Sequence, residues 1–428
     1  MIFIWSILYN IIFLPIIVII GIIGLIINKK IREGFFGRFN TFGILDHFIK
    51  SLDKRDQIIY WFHVSSHGEF LQARPVLLGL KEIEPKIKII VSFFSPSGYN
   101  NDDDKIIDCK IYLPFDFPWS ARRVLKVIKP KKLIFAAYDI WPNLIWTAKK
   151  MNIPTVLFAA KFKKNTKKLI PFVKSFYGYV YKNFQSIYTI TKNDDKKLRL
   201  ILNETNNVIT RVLGNPRYDQ VNKSIDQYSI EHTKGILKRR KSIILGSMHI
   251  EDRKNIIEGL MDLINQNNDL HIYWVPHEPI PKQISLVFDY FSDKGFSVDI
   301  YSKQKTDNKN FPRVIIVDVI GVLSQLYWEG IIAYIGGGFS TGIHNVMEPA
   351  IARLPVIFGP QYDNFHEAKE LIDLGGGWSV RSGQEFYNIT NELINNEKVL
   401  LKASEAATNV IHNNIGASTR IVRGIIRD

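Results

Sequence analysis

A glutamate placed directly after a predicted strand is the first candidate for proton-transfer chemistry. The segment His63-Val-Ser-Ser-His-Gly-Glu69-Phe ends an apolar run, passes through a short Ser/Gly turn and places Glu69 where a helix is expected to begin. A helix N-terminus keeps a carboxylate ionised, and ligands bind beyond the carboxyl ends of the strands in parallel α/β sheets. Glu69 is therefore a candidate general base; the alternative is a glutamate that only stabilises its own helix.

Two more turns are predicted at the same sheet edge. Ser95-Pro-Ser-Gly98 follows the next strand, and Asp139-Ile-Trp-Pro-Asn143 follows the strand after it. Because the carboxyl ends of parallel strands meet at one edge of a sheet, three consecutive loops there indicate a site. His67 is a candidate contact for a substrate, whereas we expect His63 to be a satisfied strand residue.

A glycine-rich loop in the C-terminal half suggests a second site. Tyr334-Ile-Gly-Gly-Gly-Phe-Ser-Thr-Gly342 contains glycines that permit close backbone approach and positive φ. A helix expected over His344–Ala352 would present backbone N–H groups to an anion. Asn345 and Glu348 would then lie one helical turn apart, where both side chains reach one ribose. Glycine packing turns are the alternative, and the nearby Gly359-Pro360 loop favours the ligand site.

The N-terminal stretch from Ile2 to Asn28 has no charged side chain. It is long enough to cross a bilayer, for which about 20 apolar residues suffice. The run has no basic residues before it and no small-residue cleavage site after it, so we expect an anchor and not a removed signal peptide. The cluster Lys29, Lys30, Arg32 and Arg38 predicts cytoplasmic domains, although a shallow interfacial helix remains an alternative.

Charge and cysteine content narrow the choice of partners. The chain has 56 Lys+Arg against 41 Asp+Glu, a formal net charge of +15, which indicates an anionic partner. No nucleic-acid-binding motif accompanies this charge, so we expect a membrane surface as the partner, with the basic segment Lys161–Lys168 as a possible contributor.

The single cysteine, Cys109, excludes an internal disulfide. We expect no metal site: the acidic run Asp102–Asp104 is typical of a solvated loop, and the histidines show no paired ligand spacing.

Strands alternate with helical patterns along the chain, which is parallel α/β order. The first series comprises strands over Gln57–Val64, Ile87–Phe93, Lys132–Phe135 and Thr155–Ala159, with a helix over Phe70–Ile83; the second comprises strands over Ser242–Leu245, His271–Val275, Arg313–Val317, Gly330–Tyr334 and Val356–Phe358. The polar interval Gln220–Arg240 is the predicted linker. We therefore expect an anchor over 1–28 and two doubly wound Rossmann-like domains over 29–225 and 226–428 that face a cleft, with the last helix able to pack back on the first domain.

Several motifs resemble, in order, those of the 3-deoxy-D-manno-octulosonic acid (Kdo) transferases of lipopolysaccharide and lipid A biosynthesis. They are His63 to Arg74 with Glu69, Ser95-Pro-Ser-Gly98, Tyr112-Leu-Pro-Phe-Asp116, Asp139-Ile-Trp-Pro-Asn143, Gly214-Asn-Pro-Arg-Tyr-Asp219 and His344-Asn-Val-Met-Glu-Pro349. The similarity runs from about Phe36 almost to the end of the chain. It implies a GT-B fold and an inverting glycosyltransferase at the cytoplasmic face of the inner membrane. Such an enzyme moves Kdo from CMP-Kdo to a phosphorylated lipid A precursor, lipid IVA, and releases CMP.

The resemblance also implies roles for individual residues. Glu69 matches the base, and Asp139 and Arg217 match residues that stabilise the transition state. The segments implied to hold CMP contain Ser247, His249, Pro276, His277, Ile320, Gly321, Val322, Gly338, Asn345, Val346, Met347 and Glu348. No metal cofactor is implied.

The chain departs from the family pattern at three of these positions. Asp139 stands where family members usually have Glu, and Arg217 where they have Lys. Pro276-His277-Glu278-Pro279 replaces the usual Pro-Arg-His-Pro, so one expected cation is missing. Two other functions stay open: a GT-B transferase that uses a UDP-sugar, and a noncatalytic basic adaptor at the membrane surface. The adaptor would have no physical reason to keep the charges of Glu69, Asp139 and Arg217.

Overall fold

The structure is a computed structural model that describes residues 2–52, 57–137, 139–203, 207–223, 225, 235–303 and 311–428. The chain forms two compact units: the first comprises Met1–Gln220 and Gly416–Asp428, and the second comprises Val221–Ile415. Much of the predicted linker Gln220–Arg240, and residue 226 of the predicted domain boundary, lie outside the described residues.

The first unit is built on a seven-stranded parallel sheet. Its strands are β1 (Ile59–Val64), β2 (Lys88–Phe93), β3 (Cys109–Tyr112), β4 (Lys132–Ala136), β5 (Thr155–Ala160), β6 (Ser186–Thr189) and β7 (Ile209–Val212), in the order β3-β2-β1-β4-β5-β6-β7. All six strand pairs are parallel. The central strands are buried on both faces, which is why they appear in the sequence as continuous apolar runs.

Helices alternate with these strands along the chain. They are α1 (Ile2–Leu8), α2 (Leu14–Ile27), α3 (Lys29–Gly37), α4 (Thr41–Ser51), α5 (His67–Ile83), α6 (Pro96–Asn101), α7 (Pro118–Ile128), α8 (Pro142–Lys150), α9 (Pro171–Tyr181), α10 (Lys192–Leu202) and α11 (Arg217–Lys223). Proline at the first or second position begins α6, α7, α8 and α9, where its missing N–H costs nothing.

The N-terminal helix is long and apolar enough to cross a membrane. The apolar stretch Ile4–Ile27 has a mean hydropathy of 3.0 and is almost entirely exposed. Its first turns are hydrogen-bonded to the rest of the first unit. The Tyr9 hydroxyl donates to Asp116 Oδ2 at 2.9 Å, and the side-chain amides of Asn10 and Asn143 pair with each other. One end of the helix is therefore fixed to the first unit, while most of its apolar surface is free to meet lipid.

The second unit repeats the same architecture. Its strands are β8 (Ser242–Met248), β9 (His271–Pro276), β10 (Val298–Ile300), β11 (Val314–Ile316), β12 (Ile332–Ile335), β13 (Val356–Phe358) and β14 (Gly377–Ser379), in the order β10-β11-β9-β8-β12-β13-β14. All pairs are parallel. The predicted fold class, two doubly wound parallel sheets, is confirmed.

The remaining helices are α12 (Ile250–Gln266), α13 (Pro281–Ser292), α14 (Leu323–Leu326), α15 (Met347–Ile351), α16 (His366–Leu374), α17 (Gly383–Asn395), α18 (Glu397–His412) and α19 (Ala417–Arg427). The last of these, α19, belongs to the first unit. Its Ile421, Val422 and Ile425 are buried in the core that also contains Phe70 and Leu77 of α5. The chain terminus is fixed as well, because Arg211 forms an ion pair with Asp428.

Candidate functional site

Glu69 lies in the first turn of α5, immediately beyond the carboxyl end of β1. Its Oε2 accepts a 2.5 Å hydrogen bond from the backbone N–H of Ser65. Burial raises the pKa of Glu69 to about 7; the Ser65 hydrogen bond opposes this rise, and the nearby charge of Asp139 adds to it. The carboxylate therefore holds the preceding turn against the start of its helix and also has a pKa suited to a general base at neutral pH.

Asp139 lies after β4, two residues beyond Ala137, which has a left-handed φ of 63°. A non-glycine residue in this region is strained, and such strain is often found at functional sites. Burial raises the pKa of Asp139, and the charge of Lys168 opposes the rise. The structure thus brings the carboxylates of Glu69 and Asp139 close enough to interact.

Lys168 is a residue of this site that sequence reasoning missed. Its Nζ donates to the Tyr181 hydroxyl at 2.9 Å and lies 4.4 Å from the centroid of the Tyr177 ring. Burial lowers its pKa to about 8, against the opposing charge of Asp139. The segment Lys161–Lys168 was expected to contribute its cations to a membrane surface. Lys168, however, points inward, where its Nζ lies among aromatic rings and near Asp139.

Arg217 is the first residue of α11 and is tied to the Glu69 helix through Asn215. The Oδ1 of Asn215 accepts from the backbone N–H of Arg217 at 3.1 Å and from Nε2 of Gln72 at 2.7 Å. Gln72 lies one helical turn after Glu69. The three predicted catalytic residues therefore all belong to the first unit, at the carboxyl edge of its sheet.

The acidic run Asp102–Asp104 lies in a loop, as expected, but of its three residues only Asp103 is largely exposed to solvent. Asp102 is only 5% exposed, and its Oδ1 lies 2.7 Å from Nδ1 of His67. This hydrogen bond raises the pKa of His67, while partial burial and the charge of Arg217 oppose the rise. The other two carboxylates pair with Lys110 and Arg74. The solvated-loop prediction therefore holds for Asp103, whereas Asp102 and Asp104 are paired with His67 and Arg74, which are distant in sequence.

His63 is a satisfied interior residue, as expected. Its Nδ1 lies 3.0 Å from the Ser92 hydroxyl, and its Nε2 accepts from Trp141 Nε1 at 2.9 Å. Burial lowers the pKa of His63 to about 3. The neutral ring therefore braces the Trp141 loop against β1 and β2.

An apolar groove of about 590 Å³ runs from the N-terminal helix to the loops at this sheet edge. Its lining includes Leu14 and Val18 of the helix, Phe35 and Phe39 beyond it, and Phe94, Ser95, Pro96 and Trp141 of the predicted site loops. Lys30 and Arg38 also line it. The groove therefore combines an apolar wall with cations.

Asp116 holds the N-terminal helix at one end of this groove. Its carboxylate accepts from the Tyr9 hydroxyl and from the backbone N–H groups of Asn143 and Leu144, at 2.9 to 3.1 Å. Burial raises its pKa to about 7, against these hydrogen bonds. Asp116, within the Tyr112–Asp116 motif, thus positions the N-terminal helix.

In the second unit, one buried carboxylate organises the start of α12 and the glycine loop. Asp252, which is fully buried, accepts from the backbone N–H groups of His249 at 3.1 Å and Gly337 at 2.7 Å, and from the Tyr334 hydroxyl at 2.9 Å. Ser247 precedes this junction with a left-handed φ of 55°. The N-terminus of a 17-residue helix is thereby held beside the glycine loop, an arrangement that suits an anion.

Two glycines of the loop are explained by packing. A Cβ on Gly336 would lie 2.1 Å from the carbonyl oxygen of Ser247, and one on Gly338 would lie 2.5 Å from the backbone nitrogen of Gly359. Gly337 and Gly342 have φ of 90° and 118°, which other residues rarely adopt. Gly338 is therefore buried against the Gly359 loop.

The predicted helix over His344–Ala352 is shorter than expected. It spans Met347–Ile351, so Asn345 precedes it and five residues give too little dipole for an anion site. Asn345 lies in the turn before the helix, where its Oδ1 accepts from Met347 N at 3.1 Å and its Nδ2 donates to Glu348 Oε1 at 2.6 Å. Asn345 and Glu348 thus meet as expected, although this turn and not a helical turn brings them together.

The other residues assigned to CMP have different degrees of access. Val346 and Met347 are each 1% exposed, so their side chains belong to the core. Ile320 is 86% exposed. The space around Gly321, which has a φ of 92°, is open, since no atom lies within 4 Å of the position that a Cβ would take there. Val322 follows as the N-cap residue of α14. Pro276 ends β9 and is half-buried, and His277 after it is exposed. The Ile320–Val322 loop is thus open to a ligand.

Three histidines form a cluster that the sequence did not indicate. One ring nitrogen from each of His249, His277 and His344 lies within 4.8 Å of the others, and His249 Nε2 is 2.8 Å from His344 Nε2. The ring of His277 stacks on both neighbours, with centroid distances of 4.6 Å to His249 and 4.4 Å to His344. Burial lowers the pKa of His344 to about 4, and the two other imidazoles add to the fall.

Comparisons with known proteins agree with the motifs. The profile of a family described as 3-Deoxy-D-manno-octulosonic-acid transferase (kdotransferase) matches residues 37–220. A 3-deoxy-D-manno-octulosonic acid transferase of Aquifex aeolicus is 28% identical over 79% of this chain and 86% of its own length. A 3-deoxy-D-manno-octulosonic acid transferase of Haemophilus influenzae is 26% identical over 85% of this chain and 85% of its own length. The UDP-GlcNAc 2-epimerase of Neisseria meningitidis shares the fold, with a TM-score of 0.62 at 17% identity over 87% of this chain and 100% of its own.

Proposed function

Because this chain is a glycosyltransferase related to the Kdo transferases over most of its length, we propose that it transfers Kdo from CMP-Kdo to the phosphorylated lipid A precursor, lipid IVA. The transfer inverts the anomeric centre, releases CMP and takes place at the cytoplasmic face of the inner membrane. The observation that carries the proposal is the convergence of Glu69, Asp139 and Arg217 at one edge of the first sheet, with a pKa of Glu69 near 7.

Glu69 acts as the base in this account. The acceptor hydroxyl loses its proton to the carboxylate as its oxygen bonds to the anomeric carbon of Kdo, and the bond from that carbon to the CMP phosphate breaks. A carboxylate with a pKa near the working pH combines adequate ionisation with adequate basicity. General-base catalysis of this kind contributes about 10²–10⁴-fold to the rate.

Asp139 and Arg217 stabilise charge during the transfer. Kdo bears a carboxylate, and the departing phosphate gains negative charge, so a guanidinium with two parallel N–H groups is a suitable partner. Burial is the main cause of the raised pKa of Glu69, and the charge of Asp139 adds to it; the charge of Lys168 in turn opposes the rise that burial causes in the pKa of Asp139. The expectation that the reaction needs no metal ion stays a prediction.

The acceptor is a lipid in this proposal. The apolar groove of the first unit starts at a helix that is long enough to cross a bilayer and reaches Ser95 and Trp141 in the loops beside the predicted base. Acyl chains fit such walls, and the exposed cation Lys30 suits a phosphate on the same molecule. Arg38 is buried, and its guanidinium donates to the Gly34 and Phe94 carbonyl oxygens. These features support a phosphorylated glycolipid over a soluble sugar.

The donor nucleotide is assigned to the second unit. The N-terminus of α12 provides an anion site. The Asn345–Glu348 pair provides acceptors for a ribose. The open Ile320–Val322 loop provides an accessible backbone. A UDP-sugar transferase would use the same features.

Calorimetric titration of the purified, detergent-dispersed protein with CMP and with UDP separates the two donors. The proposal expects CMP to bind at least about tenfold more tightly, equivalent to 1.4 kcal/mol. Incubation with CMP-Kdo and lipid IVA then tests transfer, and NMR of the product reports the anomeric configuration. Preference for UDP, or retention of configuration, would contradict the proposal.

A further inference from the structure

The cluster of His249, His277 and His344 at the carboxyl edge of the second sheet has the composition of a metal site. His249 precedes α12, His277 follows β9 and His344 follows the glycine loop, so three separate loops supply one imidazole each. Imidazole nitrogen is a ligand that Zn²⁺, Cu²⁺ and Ni²⁺ all accept. We propose that these three histidines bind one divalent transition-metal ion of the Zn²⁺ class.

The two ring nitrogens of His249 face different surroundings, with Nε2 towards the cluster and Nδ1 towards the glycine loop. The Ser340 hydroxyl lies 3.2 Å from the Gly337 carbonyl oxygen and 3.2 Å from Nδ1 of His249, so when it donates to Gly337 it is an acceptor for Nδ1–H. With the proton on Nδ1, Nε2 of His249 carries the lone pair that faces His344. Metal-binding histidines commonly use their second nitrogen in this way, donating to an oxygen that fixes the ring.

The spacing of the nitrogens is close to that of a tetrahedral ion. Zn–N bonds of about 2.0–2.1 Å at tetrahedral angles place two ligand nitrogens about 3.3 Å apart. The two Nε2 atoms of His249 and His344 are 2.8 Å apart, so roughly half an ångström of separation makes room for the ion. His277 must tilt from its stacked position, which its exposure at the rim permits.

Three protein ligands leave a fourth position open. Sites with three ligands and one open position take a water molecule or an anionic oxygen there. The exposed side of His277 gives an ion a path from solvent. His249 and His277 are also among the residues assigned to CMP, so an ion here would occupy the region proposed for the donor phosphate.

The test uses Co²⁺ alone, without nucleotide or acceptor, on the full chain in detergent after treatment with a chelator. Tetrahedral Co²⁺ has intense visible absorption bands, and we expect them to saturate at one equivalent per chain and to disappear on addition of Zn²⁺. His277→Ala should weaken binding by well over about tenfold, because even the loss of a residue that only orients a ligand costs 10–100-fold. Ser340→Ala should weaken binding by about tenfold through the orientation of His249.

Two further variants serve as comparisons. His412→Gln removes an exposed histidine of α18 in the same unit and should leave the titration unchanged. His277→Arg keeps a long, exposed side chain but removes the ligand, so it should behave like His277→Ala. The absence of tetrahedral bands, or equal Co²⁺ affinity in His277→Ala and His412→Gln, would overturn the inference. Because the titration contains no nucleotide, a failure to bind Co²⁺ would leave the proposed transferase function standing. A failure to transfer Kdo would likewise leave the proposed metal site standing.

Discussion

The side-chain amide of Gln72 donates a 2.7 Å hydrogen bond to Oδ1 of Asn215, and the same oxygen accepts from the backbone N–H of Arg217. The helix that carries Glu69 is thereby joined to the residue proposed to hold the developing charge, although 148 positions separate Glu69 from Arg217 in the sequence. Asn215 thus links the two elements, and we expect it to act as a positioning residue.

Asn215→Ala should slow transfer by between about tenfold and a hundredfold, because small displacements of a charged group are costly in a preorganised site. Asn215→Asp keeps an oxygen acceptor for both donors and should retain most of the activity. Steady-state kinetics with calorimetry of CMP binding measures this, and CMP affinity should be unchanged in both variants. Equal activity of the Ala and Asp variants would remove Asn215 from the account.

The pH profile of transfer should follow the ionisation of Glu69. Its pKa is raised to about 7, mainly by burial, so the active carboxylate is lost as pH falls through 7 and kcat/KM should fall with it. The charge of Asp139 contributes to the rise, so Asp139→Asn should move the acidic inflection to lower pH, besides any change in the maximal rate. An inflection that stays near pH 7 in Asp139→Asn would contradict the coupling.

Removal of residues 1–28 should release the protein from membranes. The truncated protein should also show a raised KM for lipid IVA with unchanged CMP affinity, because the helix provides part of the apolar groove. Sedimentation with liposomes and kinetics on detergent-dispersed acceptor measure the two effects. A truncated protein that stays in the membrane fraction would locate the anchor elsewhere.

Glu348→Ala should weaken CMP binding by about 1.5–3 kcal/mol, the cost of a charged hydrogen bond to a ribose hydroxyl. Asn345 Nδ2 lies 2.6 Å from the Glu348 carboxylate, so the pair is already arranged for a diol. Glu405→Ala, at an exposed position of α18, is the matched control. CMP affinity equal to that of the control would assign Glu348 to structure alone.

Nine of the fourteen strands in the described part of the chain were predicted, because strands buried on both faces form continuous apolar runs. The short strands Cys109–Tyr112, Ser186–Thr189, Ile209–Val212, Val298–Ile300 and Gly377–Ser379 were missed. The predicted strand over Gln57–Val64 is observed at Ile59–Val64, and that over Val356–Phe358 is observed with the same bounds. Apolar runs of this kind can be recognised from the local sequence, without knowledge of which distant residues pack against them. The helix predicted over His344–Ala352 begins later than expected, because Asn345 forms a turn with Met347 and the backbone N–H of His344 donates to the Gly336 carbonyl oxygen.

Contacts between residues distant in sequence were not predictable. His249, His277 and His344 have no regular spacing and meet only because β8, β9 and β12 are neighbours in the second sheet. Lys168 was counted as a surface cation because nothing near it in sequence indicates Asp139. The Glu69 prediction rested on one strand and one turn, and these are local features.

The most direct test of the account is the turnover of Glu69→Gln, which keeps the shape of the side chain and removes its ability to accept a proton. We predict CMP binding equal to wild type and Kdo transfer slower by at least about a hundredfold, the usual scale for loss of a general base. Glu82→Gln, the same substitution at an exposed position of the same helix, should transfer at the wild-type rate. Wild-type turnover in Glu69→Gln would contradict the mechanism and shift the role of base to His67.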